Sequence, residues 1–106
     1  MKANIHLLVI DPQNDFCDLP QDYRPMNPTT GERVEPALAV AGAHNDMQRL
    51  SELIQKGMRG LSDISVTLDS HHRVGIERPT FWMKADGSAV TPFTEITAQS
   101  VRDGVY

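Results

Sequence analysis

Apolar residues along this chain fall into three ordered patterns separated by long polar stretches. The first, Ile5 to Ile10, is a short run of Ile, Leu and Val that does not alternate with polar residues, so it predicts a strand buried on both faces. Asp11 and Pro12 close it, because proline has no amide hydrogen to continue a ladder. The second pattern is helical. Met47, Leu50, Leu53 and Ile54 share one face, with Gln48, Arg49, Ser51, Glu52 and Lys56 mostly on the other. Asn45 is the expected N-cap, with Gln48 reaching back three residues on, and Gly57 or Gly60 the expected stop. The third pattern, Ile64 to Leu68, predicts a second strand with Asp69 at its carboxyl end.

Strand, helix and strand in that order predict a right-handed crossover between parallel strands of one sheet. Asp11 and Asp69 then share the carboxyl edge, where open α/β sheets bind ligands. The stretch from Asp18 to Pro36 holds four of the seven prolines and reads as an ordered loop rather than a linker. Ser70 to Val90 is loop-like, and a last helical turn is expected from Thr97, as N-cap, to Asp103, with Gly104 as its stop. Two strands and little more than one helix cannot cover both faces of a sheet. The expectation is therefore an incomplete α/β fold whose apolar residues, notably Leu7, Val9, Val66 and Leu68, are covered by a partner rather than by the chain itself.

Composition narrows the function classes. A chain of 106 residues holds one small domain at most, burying about 60 to 65% of its unfolded surface. Ten basic against fourteen acidic residues, a formal charge of -4, with no concentration of basic residues, argue against nucleic acid. No apolar run approaches the ~20 residues of a membrane span, and no signal peptide pattern precedes Asp11, so a cytoplasmic protein is the expectation. The single cysteine, Cys17, cannot form an intrachain disulfide and reads first as a buried thiol.

Candidate chemistry gathers in two clusters. Asp11 to Cys17, DPQNDFC, places two carboxylates, two amides and a thiol just after the first strand, which suits proton transfer and the holding of a polar substrate. Its structural counterpart is an Asx turn in which Asp11 or Asn14 bonds nearby amides. Leu68 to Arg73, LDSHHR, offers Asp69 and His71 to a divalent ion, with Glu77 the nearest third donor; the counterpart is a solvent-facing histidine pair. Lys84 reads as a solvated loop lysine, and Phe16, Phe81 and Trp82 either floor a pocket or pack in the core.

The segments LLVIDPQNDFC, ISVTLDSHH and WMKADGSAVTPFTEITAQSVRDG resemble the N-terminal half of the nicotinamidase and isochorismatase-like cysteine hydrolases, from about Ile5 to the last residue. The resemblance implies a three-layer α/β sandwich with a parallel sheet, of which residues 1–106 would form the N-terminal portion of one domain. It implies hydrolysis of a small amide through a cysteine acyl-enzyme, with Asp11 as the group that takes the thiol proton and returns it to the leaving amine. Gln13 and Phe16 match positions that support the site and line the substrate pocket, and Cys17 matches a cysteine that is not the nucleophile. Asp69 and His71 match a metal-binding pair for zinc, iron or manganese, an ion that anchors a substrate ring nitrogen and keeps water near the thioester. Relatives often have His-Pro where this chain has Arg78 and Pro79, so either Glu77 substitutes as a ligand or the metal is weak or absent. The family's lysine, its nucleophilic cysteine and a later metal histidine match nothing in this sequence. That leaves two expectations: an amidase portion truncated before those residues, or a noncatalytic association module completed by a second copy or a complementary chain.

Overall fold

The computed structural model describes residues 3–106, which are mixed α/β and divide into two compact units, one ending at Asp69 and the other spanning Ser70–Tyr106. In the first unit, strands β1 (His6–Val9) and β2 (Asp63–Val66) pair in parallel, with His6 opposite Asp63 and Val9 opposite Val66. Backbone pairing extends beyond both ends: Ser62 donates to the Ile5 carbonyl at 2.8 Å, Thr67 to Val9 at 2.9 Å, and Asp11 to Thr67 at 3.2 Å. The predicted parallel pairing of the two strands holds, and the carboxyl ends of both lie at the same edge.

The sheet is not buried on both faces. Residues paired across a parallel ladder share a face, so Leu7, Val9, Ile64 and Val66 lie on one side and His6, Leu8 and Ser65 on the other, where His6 Nε2 and Ser65 Oγ are 2.8 Å apart. Val9 is buried, which corrects the expectation that it stays uncovered, and Leu7 is half-buried. Leu8, Ile10, Val66 and Leu68 are each more than half exposed. Among the described residues only Val9, Cys17, Leu19 and Val90 are buried hydrophobics.

Helix α1 (Ala43–Gly57) connects the strands and runs into a 3-10 turn, Met58–Gly60. It begins two residues earlier than Asn45, and its cap is not local. Gly42, at φ 86°, turns the chain, and the carboxylate of Asp18 accepts from Gly42 N at 2.8 Å and His44 N at 2.9 Å. A carboxylate at the first turn satisfies orphan amides and complements the positive end of the helix dipole. Met47, Leu50 and Ile54 are half-buried, Leu53 is exposed, and Lys56 reaches Glu52 at 3.4 Å along the outer face.

The loop from Asp18 to Pro36 is tied down by its own side chains. Arg24 bonds the Leu19 carbonyl and Glu35, while Arg33 bonds the carbonyls of Asp22 and Arg24. Asn27 Oδ1 accepts from Thr29 and Thr30, closing the turn that Gly31 leaves at φ 71°. Tyr23 packs edge-on against His44, with ring centroids 4.7 Å apart.

The second unit contains a 3-10 turn at Pro79–Phe81, a tight connection bridging Met83 to Ala89, and helix α2 (Ala98–Arg102). Thr97 caps α2, its hydroxyl accepting from Ser100 N at 3.1 Å, and Gly104 at φ 71° follows the last turn, as the sequence predicts. Ala85 N donates to the Val105 carbonyl at 3.0 Å, pinning the tail beside the exposed Lys84. Among the described residues no helix is long and apolar enough to cross a membrane.

Candidate active site

The carboxyl end of the two-stranded sheet is built by side chains that continue its ladder. Asp11 adopts φ 51°, a left-handed conformation that costs most non-glycine residues energy and that Asp and Asn tolerate best. Thr67 holds it there: the threonine hydroxyl accepts from Asp11 N at 3.0 Å and donates to Asp11 Oδ1 at 2.7 Å. One hydroxyl thus fixes both the backbone and the carboxylate. The Asx turn considered for Asp11 is not formed, because its carboxylate bonds a residue 56 positions away rather than nearby amides.

Gln13 performs the next step of the ladder with its side chain. Its Nε2 donates to the Asp69 carbonyl at 2.8 Å, and its Oε1 accepts from Asp69 N at 2.7 Å. A primary amide has the donor and acceptor of a peptide group, so Gln13 pairs with Asp69 as another strand residue would. Asp11 and Asp69 therefore lie at one edge, as expected from the crossover, and the Gln13 side chain joins them there.

Asp15 of the motif serves the backbone. Asp15 Oδ1 accepts from Ala37 N at 3.1 Å, and its carbonyl accepts from Leu38 N at 2.9 Å. Phe16 is half-buried and its carbonyl accepts from Val40 N. Cys17 is buried; burial pushes its thiol up from the ordinary range, and the adjacent Asp18 adds to the shift. A thiol so placed is a weak nucleophile at neutral pH. The backbone amides of His44 and Gly42 hold the Asp18 carboxyl below its usual range. Thr67 and Asp18 are the two residues that sequence reasoning missed. Their signals are faint: Thr67 follows β2 at the step that faces Asp11, and Asp18 follows the motif directly.

In the second unit, His71 Nδ1 and Glu77 Oε1 are 2.9 Å apart. The bond from His71 lowers the Glu77 carboxyl below its ordinary range, with its own backbone amide and the charges of His71 and Arg78 contributing less. Gly75 makes room for this pair, since a Cβ there would collide with the Glu77 carboxylate. The loop is further closed by Trp82 Nε1, which donates to the Ile76 carbonyl at 2.8 Å, and by the edge-on packing of Phe81 on Trp82. A cation held by His71 and Glu77 would replace the bond between them. Among the described residues no three His, Cys, Asp or Glu side chains gather as a metal-holding group.

Compared with models of known protein families, with curated proteins and with solved structures, the chain matches none.

Proposed function

We propose that this chain carries the N-terminal portion of an isochorismatase-like cysteine hydrolase domain, a nicotinamidase-like amidase acting on a small amide in the cytoplasm. The observation that supports it best is Asp11, held at the carboxyl end of β1 by Thr67 and set beside Gln13 and Asp69. A carboxylate fixed at a sheet edge is suited to take a proton from a thiol and return it to a departing amine. Cys17 does not serve as that thiol, because it is buried and its pKa is raised. On this reading the family's nucleophilic cysteine and lysine have no counterpart among the residues of this sequence.

Asp69, His71 and Glu77 are the residues proposed to hold zinc, iron or manganese, a reading supported by the closeness of His71 Nδ1 and Glu77 Oε1. No step is assigned to the ion. The exposed Leu8, Ile10, Val66 and Leu68 favour a second reading, in which the chain is a noncatalytic association module covered by another copy or a complementary chain.

Ammonia release from nicotinamide tests the proposal. This chain alone is expected to show no turnover. Together with a lysine and cysteine segment encoded beside it, turnover is expected, and Asp11→Asn lowers it by about 100-fold or more. Turnover by the chain alone that disappears in Cys17→Ala would overturn the assignment of Cys17, and the absence of any such segment would favour the association module.

A further inference from the structure

We propose that the second unit carries a binding site for a phosphate dianion, centred on Arg73 and Arg78. Both line a shallow groove of about 440 Å³ together with His71, His72, Pro79 and Thr80. No carboxylate lines that groove, and neither arginine forms an ion pair among the described residues. Glu77, the one acidic residue between Ser70 and Ala85, is bonded to His71 and feels Arg78 only at longer range. Two guanidinium charges are thus left without a close anionic partner in a chain whose net charge is -4.

The arginines stand on a loop whose backbone is already closed. Thr80 Oγ1 donates to the Arg73 carbonyl at 2.9 Å, Arg78 N to the Gly75 carbonyl at 2.8 Å, and Phe81 N to the Arg78 carbonyl at 3.0 Å. A ligand therefore meets a groove whose main chain needs no further ordering, which removes part of the cost of binding. Guanidinium forks match phosphate oxygens in pairs, and two of them match a dianion in charge. The His72 imidazole adds an N–H donor. The groove accepts a small phosphate ester rather than a nucleic-acid backbone, because the basic residues form one short cluster and not a track. This site does not depend on the hydrolase reading.

Calorimetric titration at low ionic strength, where screening is weakest, tests it with inorganic phosphate, phenyl phosphate and benzoate. The two phosphates are expected to saturate at one per chain. Arg73→Gln and Arg78→Gln each weaken them at least about tenfold, whereas Arg59→Gln, in the first unit, leaves them unchanged. If a glutamine variant loses its circular dichroism signal, Arg73→Lys and Arg78→Lys replace it; they keep the charge without the fork and are expected to weaken phosphate by a smaller factor. Absent saturation, equal loss in Arg59→Gln, unchanged affinity in both lysine variants, or benzoate binding as tightly as phenyl phosphate would each overturn the proposal.

Discussion

The side-chain amide of Gln13 hydrogen-bonds both the amide and the carbonyl of Asp69, at 2.7 and 2.8 Å, and so adds a rung to a sheet whose strands have already ended. Gln13→Ala removes both bonds. Each is solvent-accessible, so the expected cost is about 1 kcal/mol in total, at the low end for hydrogen bonds. Urea denaturation checks the stability, and amide exchange at Asp69 is expected to accelerate more than exchange within β1. Unchanged exchange at Asp69 would show that the rung contributes nothing.

Thr67→Val removes the hydroxyl that holds Asp11 at φ 51° while keeping the branched shape. A loss of about 1 to 2 kcal/mol is expected from two hydrogen bonds, with Thr67→Ser restoring most of it. The backbone chemical shifts of Asp11 report whether the left-handed conformation persists. If the valine variant keeps both the stability and those shifts, the threonine is not what positions the carboxylate.

The Asp18 cap gives a pH dependence of known sign. Its carboxyl is held below the ordinary value by the His44 and Gly42 amides, so the folded state binds that proton less readily than the unfolded state. The cap's contribution is fully present above the unfolded value of about 3.9 and is lost as pH falls through the lower folded value. Acid titration of helicity should therefore be less steep in Asp18→Asn than in the parent chain, and amide exchange at Gly42 and His44 should be faster in the variant at neutral pH. An identical acid profile would remove Asp18 from this role.

Self-association is expected of the chain on its own, since at about 25 cal/mol per Å² its exposed sheet residues favour burial against a partner. Leu8 and Val66 lie on opposite faces, so Leu8→Lys and Val66→Lys test the two faces separately. At least one of them is expected to shift the mass measured by light scattering toward the monomer. A parent chain that is already a monodisperse monomer with strongly protected strand amides would refute the expectation.

The elements were legible where local pattern suffices. The unbroken apolar run at Ile5 to Ile10, the helical spacing of Met47, Leu50 and Ile54, and Thr97 with Gly104 are signals carried by neighbours in sequence, and the parallel pairing follows from their order. Asp11 and Asp69 could be gathered at one edge by the same logic, whereas the pairing of the Gln13 side chain with Asp69 could not. The helix cap could not. Asn45 has the right chemistry for a local cap, but Asp18 reaches the first turn from across a loop, and nothing local announces that. Thr67 was missed for a related reason, because its partner is 56 residues distant. The coverage of the sheet is not legible in this way, since an apolar run does not say which of its residues the chain itself covers: Val9 is buried while Leu8 beside it is not.

A helix whose first turn is completed from 24 and 26 residues away depends on the loop between for its start. A peptide spanning α1 alone would fray at its start. Closing the loop from Asp18 to Gly42 costs conformational entropy that grows only slowly with length, and this closure is shorter than the one joining His6 to Asp63. The cap contact of Asp18 therefore carries a slightly smaller closure cost than the strand pairing, and the two contacts enclose nested stretches of the same chain. The sheet edge that carries Asp11 depends on the longer of these two closures.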